Sequence, residues 1–280
     1  MVTKLGVIAG SGGLPREIIA AAKQKGWGCF VVGFVGQTDP ETLEAAPSML
    51  THLGAAGKII DRLRAESVSD LVMAGAIRRP SLLQIKPDWV VAKFLAQVGI
   101  KALGDDGLLR AIIRSIEDRG FNVMSIPQIL GELVFPKGLL SERSPDTAAE
   151  EDIRYGLEVA RALGKVDVGQ SVVIQQGLVL GVEAIEGTDA LLQRCRDLAR
   201  PVDGGVLVKI KKPQQEDRAD LPTIGPRTVE NAAAAGLRGI AVEAGGALLM
   251  ERGKTVGLAN KHKLFLIGVD LPNEEKDAES

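Results

Sequence analysis

Lys4-Leu-Gly-Val-Ile-Ala9 runs straight into Gly10-Ser-Gly-Gly-Leu-Pro15, and Ile18, Ile19 and Ala22 follow at helical spacing. A short apolar run, a glycine turn and an amphipathic segment with proline at its start read as strand, turn and helix. Gly28 to Gly36 carries a second apolar run, and Asp70-Leu-Val-Met-Ala-Gly-Ala-Ile77 a third. Strands that alternate with helices imply a parallel sheet joined by right-handed crossovers. Asp106 is placed to cap a helix whose Leu108, Leu109, Ile112, Ile113 and Ile116 form one stripe; Gly120 closes it before a strand at Phe121 to Ile126. Residues 1–135 are therefore expected to form a Rossmann-like α/β domain with a parallel sheet.

Residues 136–148, containing Pro-Lys-Gly and Ser-Glu-Arg-Ser-Pro, read as a connector to a C-terminal mixed α/β domain over 149–280. Thr147 with Glu150 resembles a capping box, and Ile153, Leu157, Ala160 and Leu163 make the buried face of a helix stopped by Gly164. The period then changes. Ser171 to Gln176 and Leu178 to Ile185 pattern as a hairpin about Gln176-Gly177, and Thr188 starts a short helix with Leu191, Leu192, Cys195 and Leu198 inside. Val206 to Lys211, Gly239 to Ala244, Ala247 to Met250 and Leu264 to Val269 read as further strands.

At 280 residues, two domains fit better than one. Hydrophobic residues at 45% and charged ones at 25% leave no case for a disordered or fibrous chain. Aromatics at 3% and a net charge of −2 argue against a nucleic-acid surface. Cys29 and Cys195, far apart, make no disulfide framework or zinc motif, and His52 and His262 are too few for an imidazole-based metal centre. The cysteine usage reads as cytosolic, and with neither a signal peptide nor an apolar run of about 18 residues a soluble protein is expected, one with room for contact with a membrane.

Three groups of residues have chemistry to offer. The Gly10, Ser11, Gly12, Gly13 and Leu14 turn can present backbone N–H groups to an anion, although Pro15 stands where a dinucleotide fingerprint has its third glycine. A tight turn with no ligand explains it equally well. Lys209 and Lys211 share a strand face by the two-residue period, and cations at a strand end suit a diphosphate; a solvated edge strand is the bland alternative. Just beyond, Asp217-Arg-Ala-Asp-Leu-Pro-Thr-Ile-Gly-Pro-Arg-Thr228 opens a helix at Pro226. Thr223, Ile224, Gly225, Arg227 and Thr228 at that start can meet phosphate, while Asp220 is suited to hold Mg²⁺ or activate water. Glu183 and Glu243, set in apolar strands, and Asp189 are candidate cation ligands, with glutamates on the wet face of edge strands as the equal alternative. Gln175, at the end of a hairpin strand, joins the candidate substrate contacts.

Four strings, Ile8-Ala-Gly-Ser-Gly-Gly-Leu-Pro15, Val182-Glu-Ala-Ile-Glu-Gly-Thr-Asp189, Lys212-Pro-Gln-Gln215 and Asp217 to Pro226, together resemble the LpxI-type UDP-2,3-diacylglucosamine pyrophosphatases of lipid A biosynthesis. The resemblance spans nearly the whole chain. It implies Mg²⁺-dependent hydrolysis of a UDP-linked, doubly acylated glucosamine to UMP and 2,3-diacylglucosamine 1-phosphate (lipid X), with attack at the β-phosphorus. A homodimer in a Gram-negative cytoplasm, in peripheral contact with the inner membrane, is implied as well, with catalysis in the C-terminal domain and Asp220 as the aspartate that matters for turnover. The nucleotide half is then expected near the Gly10 to Leu14 turn and the diphosphate opposite Lys209, Lys211 and the Thr223 to Thr228 helix start. Two other classes compete: a nicotinamide-dependent oxidoreductase, weakened by the broken fingerprint and the lack of an obvious acidic ribose partner, and a non-catalytic carrier of a nucleotide-linked lipid.

Overall fold

The computed structural model describes residues 3–77, 87–98, 105–201, 204–216, 218 and 221–271. They fall into two compact units: the first runs to Glu132 and includes Glu216 and Arg218, and the second holds the remainder from Leu133 onward.

In chain order the first unit carries β1 (Lys4–Ala9), α1 (Leu14–Gln24), β2 (Gly28–Phe34), α2 (Pro40–Glu44), β3 (Ser48–Thr51), α3 (Ala56–Ala65), β4 (Asp70–Ala74), α4 (Trp89–Val98), α5 (Asp105–Glu117), β5 (Asn122–Val123) and α6 (Ile126–Ile129). Its five strands are all parallel, in the order β3-β2-β1-β4-β5. The order reverses between β1 and β4, which makes that boundary the switch point of the sheet. Leu5, Val7, Ile8 and Ala9 are all buried, as expected of a central strand covered on both faces. Helix α1 buries Ile18 and Ile19, each contributing roughly 1.5–3 kcal/mol. Phe30, Val32, Leu63, Val68 and Leu71 form a core against α3. The expected strand at Phe121 to Ile126 is shorter, because Pro127 has no N–H for a ladder and suits a first helical turn. Asp106 lies inside the first turn of α5, not ahead of it.

The second unit carries β6 (Gly138–Leu139), α7 (Thr147–Lys165), β7 (Ser171–Gln175), β8 (Leu178–Val182), α8 (Gly187–Arg196), β9 (Val206–Lys209), β10 (Thr223–Ile224), α9 (Pro226–Ala234), β11 (Gly239–Glu243), β12 (Leu248–Leu249), α10 (Arg252–Lys261) and β13 (Phe265–Val269). Its main sheet has the order β6-β13-β11-β9-β7-β8. Strands β13, β11 and β9 are parallel, whereas β6, β7 and β8 run antiparallel to their neighbours. Helix α7 packs Ile153, Leu157 and Ala160 on one face with Val172, Val206 and Val208. On the other, α8, α9 and α10 supply Leu191, Leu192, Val229, Ala232 and Ala259 around Leu207 and Ile240. The chain is thus an α/β protein with a Rossmann-like parallel-sheet unit and a mixed α/β unit.

Local details differ from the sequence reading. The stretch read as a connector contains β6, which extends the second sheet beside β13. Asp146, not Thr147, caps α7, its Oδ1 accepting the Ala149 N–H at 2.8 Å. The hairpin turns where expected, with left-handed φ of 53° at Gln176 and 70° at Gly177, the pattern of a two-residue primed turn. Only Leu248–Leu249 of the expected Ala247 to Met250 strand pairs, and it pairs with β10 in a separate two-stranded parallel sheet. No helix of the described residues is long and apolar enough to cross a membrane.

Candidate functional site

Lys209 ends β9, an interior strand of the second sheet, and is only 5% exposed. That position excludes the solvated-edge reading. A buried ammonium costs several kcal/mol unless it is paired. Lys209 Nζ donates to Thr188 Oγ1 at 2.8 Å, and that hydroxyl lies 3.2 Å from each carboxylate oxygen of Glu183, itself 6% exposed. Ser171 Oγ stands 3.3 Å from the same hydroxyl. Strand pairing explains the gathering: Ser171 is opposite Lys209 in the β7/β9 ladder, and Val182, the residue before Glu183, is opposite Val172. One sheet edge therefore collects a lysine, a glutamate and two hydroxyls. Glu183 does follow an edge strand, yet its carboxylate is buried.

Two helices begin at this edge. Thr188 is in the first turn of α8, and its neighbour Asp189 forms an ion pair with Arg227 in the first turn of α9. Asn231 Nδ2 also donates to Asp189 Oδ1, at 2.7 Å. Gly225 caps α9 in extended conformation, and the pairing of Leu248 N–H with Pro222 O and Met250 N–H with Ile224 O, both 2.8 Å, fixes the chain leading into it. The start of α8 thus meets the carboxyl end of β9, and Asp189 ties the start of α9 to it. Lys211, just past the strand, gives its backbone N–H to Glu243 Oε2 at 2.7 Å, which brings the end of β11 into the same edge.

At this edge Arg227 is paired with Asp189, Thr188 links Lys209 to Glu183, and Glu243 accepts the Lys211 backbone N–H. No three His, Cys, Asp or Glu side chains among the described residues gather as metal ligands. The described carboxylates therefore do not form a cation cage by themselves, and Asp220 lies outside the described residues. Upstream of it, Arg218 is held by Glu216 and Glu117. The Arg218 guanidinium, hydrogen-bonded to Glu216, keeps that carboxyl below its ordinary value against the opposing effect of burial.

Other expected contacts separate by side chain. Thr223 and Arg227 are exposed, Gly225 and Thr228 half-buried, and Ile224 is wholly buried in the core, so only its backbone can face a ligand. Gln175 stands at the opposite end of β7 from Ser171, where its amide exchanges hydrogen bonds with the Arg200 backbone at 2.9 and 3.3 Å. It is not part of the Lys209 group. Burial raises the pKa of both Cys29 and Cys195, which leaves neither as a thiolate nucleophile.

In the first unit the glycine turn is built on backbone contact. Ser11 and Ala76 exchange N–H···O bonds at 2.9 and 3.0 Å, and a Cβ on Gly10 would sit 2.4 Å from Ala76 O. Gly12 and Gly13 meet no such neighbour within 4 Å. The Gly12 N–H is directed to Asp39 Oδ2 at 2.7 Å, so a carboxylate occupies the amide expected to face an anion. Asp39, absent from the sequence reading, is an acidic side chain at the glycine turn.

Residues 4–133 match the model of the LpxI N-terminal domain and residues 136–267 that of the LpxI C-terminal domain. The UDP-2,3-diacylglucosamine pyrophosphatase LpxI of Caulobacter vibrioides is 40% identical over 274 residues, covering 95% of this chain and 98% of that protein. The chain belongs to the LpxI family. Solved structures with some likeness include the CobK precorrin-6A reductase, with TM-score 0.32 and 14% identity over 97% of this chain and 89% of that one. The biotin carboxylase domain of a thermophilic 2-oxoglutarate carboxylase bound to ADP gives TM-score 0.26 and 12% identity, over 72% of this chain and 34% of that one. Neither likeness is strong enough to bear on fold or chemistry.

The LpxI-like string Val182 to Asp189 supplies Glu183, Thr188 and Asp189 to the sheet edge, and the string Asp217 to Pro226 ends at the start of α9. Thr188 and Asn231 were not legible as site residues beforehand. Thr188 looked like a helix start alone, and Asn231 sits in an alanine-rich helix with nothing around it to mark it.

Proposed function

We propose that this chain hydrolyses the diphosphate of UDP-2,3-diacylglucosamine, giving UMP and 2,3-diacylglucosamine 1-phosphate. The reading rests on near full-length similarity to the Caulobacter vibrioides pyrophosphatase. The buried Lys209, with the starts of α8 and α9 beside it, supports it as a place for phosphoryl charge. Thr188 fixes the Lys209 ammonium so that it needs no rearrangement as charge develops.

In the proposed step a water oxygen bonds to one phosphorus, the bridging P–O bond breaks, and the water proton passes to Asp220. A diphosphate carries more negative charge than the buried Lys209 alone offsets, and a divalent cation would supply the remainder. Mg²⁺ is the ion we propose, and Asp220 is the carboxylate that would hold it. The chemistry such an ion would supply is neutralisation of the diphosphate and polarisation of the P–O bond. We further propose a homodimer, working in the cytoplasm in peripheral contact with the inner membrane.

The test is incubation of purified protein with UDP-2,3-diacylglucosamine, with Mg²⁺ and with EDTA, following UMP by mass spectrometry. Many turnovers per chain with Mg²⁺ and none with EDTA are expected. No UMP under either condition, with the substrate still bound, would favour the carrier instead.

A further inference from the structure

We infer that Glu183 is a positioning residue for the Lys209 ammonium, acting through the Thr188 hydroxyl, and not a ligand of a cation. The reaction that it serves rests on the proposed function; the arrangement itself does not.

The hydrogen bonds among these groups run in one direction. An ammonium only donates, so Thr188 Oγ1 accepts from Lys209 Nζ at 2.8 Å. The hydroxyl keeps its single proton and one more lone pair. Its proton goes to Glu183, whose two oxygens stand at the same 3.2 Å and only accept when ionised. Ser171 Oγ, 3.3 Å away, is left to donate to the remaining lone pair. Lys209 thus reaches the Glu183 charge through one hydroxyl, and because both charges are buried their attraction is strengthened.

The backbone holds Glu183 in place from both sides. Its N–H donates to Ser171 O at 2.8 Å, and Arg194 Nη2 donates to Val182 O, also at 2.8 Å. Gly169 passes so close that a Cβ there would stand 2.0 Å from Glu183 O. A cation on this carboxylate would lie one hydroxyl away from the Lys209 ammonium, whose charge opposes it. Mg²⁺ also keeps several waters, for which a carboxylate only 6% exposed leaves little room. What the arrangement supplies is orientation: an ammonium fixed before phosphoryl charge develops stabilises that charge without first having to turn.

UMP release from UDP-2,3-diacylglucosamine is followed over a range of substrate and of Mg²⁺ for the full chain and for Glu183→Gln, Thr188→Val, Thr188→Ser and the Glu183→Gln/Thr188→Val double variant, with folding checked by circular dichroism. A second measurement needs neither substrate nor metal. It reads water exchange of the Lys209 ammonium by magnetic resonance in protein labelled with ¹⁵N-lysine, the signal being assigned by its loss in Lys209→Met.

Glu183→Gln and Thr188→Val are each expected to lower kcat about tenfold, the effect of one hydrogen bond to a charged group, with KM and the Mg²⁺ needed for half the maximal rate unchanged within about twofold. The double variant should fall no further than the weaker single one, because both act through Lys209. Thr188→Ser, which keeps the hydroxyl, should keep the rate, and the isosteric Glu183→Gln serves if Thr188→Val does not fold. Ammonium exchange should quicken about tenfold or more in Glu183→Gln and Thr188→Val and not in Thr188→Ser. A raised Mg²⁺ requirement in Glu183→Gln makes that residue a cation ligand and overturns the assignment. Losses that multiply in the double variant overturn it too, as does a lowered unfolding midpoint with kcat and exchange unchanged. A wild type that releases no UMP but shows the exchange pattern removes the proposed substrate and leaves Glu183 positioning Lys209. Hydrolysis at the wild-type rate in every variant does the reverse.

Discussion

After β1 the chain turns through Gly10 to Gly13 and meets the carboxylate of Asp39; after β9 it ends on Lys209, buried against Thr188 and Glu183. Both places are carboxyl ends of parallel strands next to helix starts, the positions at which α/β sheets take ligands. The side chains there differ. At the first, backbone contacts shape an open turn and a fixed anion faces it. At the second, buried polar groups are locked together around a cation, and the start of α8 adds to its field. The two places share a position in their sheets and differ in the charge placed there.

The largest expected effect lies at the carboxylate assigned to water. Asp220→Ala should lower kcat by about 10²–10⁴-fold, the span of general acid–base contributions, and leave the unfolding midpoint unchanged. Near wild-type turnover in that variant would break the mechanism at its centre.

A second variant removes a buried charge of the second unit that has a structural role alone. Asp152 is 2% exposed and accepts from Arg238 at 3.1 Å and from the amides of Gln176 and Gly177 at 3.1 and 2.8 Å, which pins the hairpin turn. Asp152→Ala leaves Arg238 and two amides without that acceptor and should cost about 3–5 kcal/mol in urea unfolding. Turnover of the protein that remains folded should match wild type.

Lys209→Met turns the comparison round. It should lower kcat/KM by about 10²-fold, the loss typical of one charge-stabilising donor, with the fall mainly in kcat. A loss confined to stability would reduce Lys209 to a structural ion like Arg238 and remove the contrast between the two strand ends.

The smallest effect is on pH. Because the folded-state pKa of Glu216 is depressed by Arg218, the stability it contributes is fully present above the ordinary carboxylate value near ~4.3 and is lost as pH falls through the depressed one. In Glu216→Gln the acid limb of the stability curve, followed by urea titration at stepped pH, should be shallower over that window. An unchanged limb would show that Arg218 is held by Glu117 alone.

Much of the fold was legible because its signals are local. The β1 to α1 passage combines an apolar run, glycines and Pro15 within a dozen or so residues, and the Gln176-Gly177 turn announces its hairpin. Less was legible where tertiary pairing decides. Ser48-Met-Leu-Thr51 becomes a strand only because β2 offers it an edge, and α10 has no apolar stripe to betray it. The candidate site divides in the same way. Glu183, Asp189, Lys209 and Arg227 stand out as charges in unusual settings. Asp39 has nothing in the sequence to single it out and is placed only when the chain after β2 brings it to Gly12. Gln175 shows the converse: a polar residue at a strand end whose partner is a nearby backbone.

The most direct test of the central claim is to run the reaction of UDP-2,3-diacylglucosamine in ¹⁸O-labelled water with Mg²⁺ and weigh both products. Hydrolysis of the diphosphate predicts one ¹⁸O atom in either UMP or 2,3-diacylglucosamine 1-phosphate, at every turnover and in one of the two alone. Intact substrate, or UMP and 2,3-diacylglucosamine 1-phosphate that both lack the label, would contradict it.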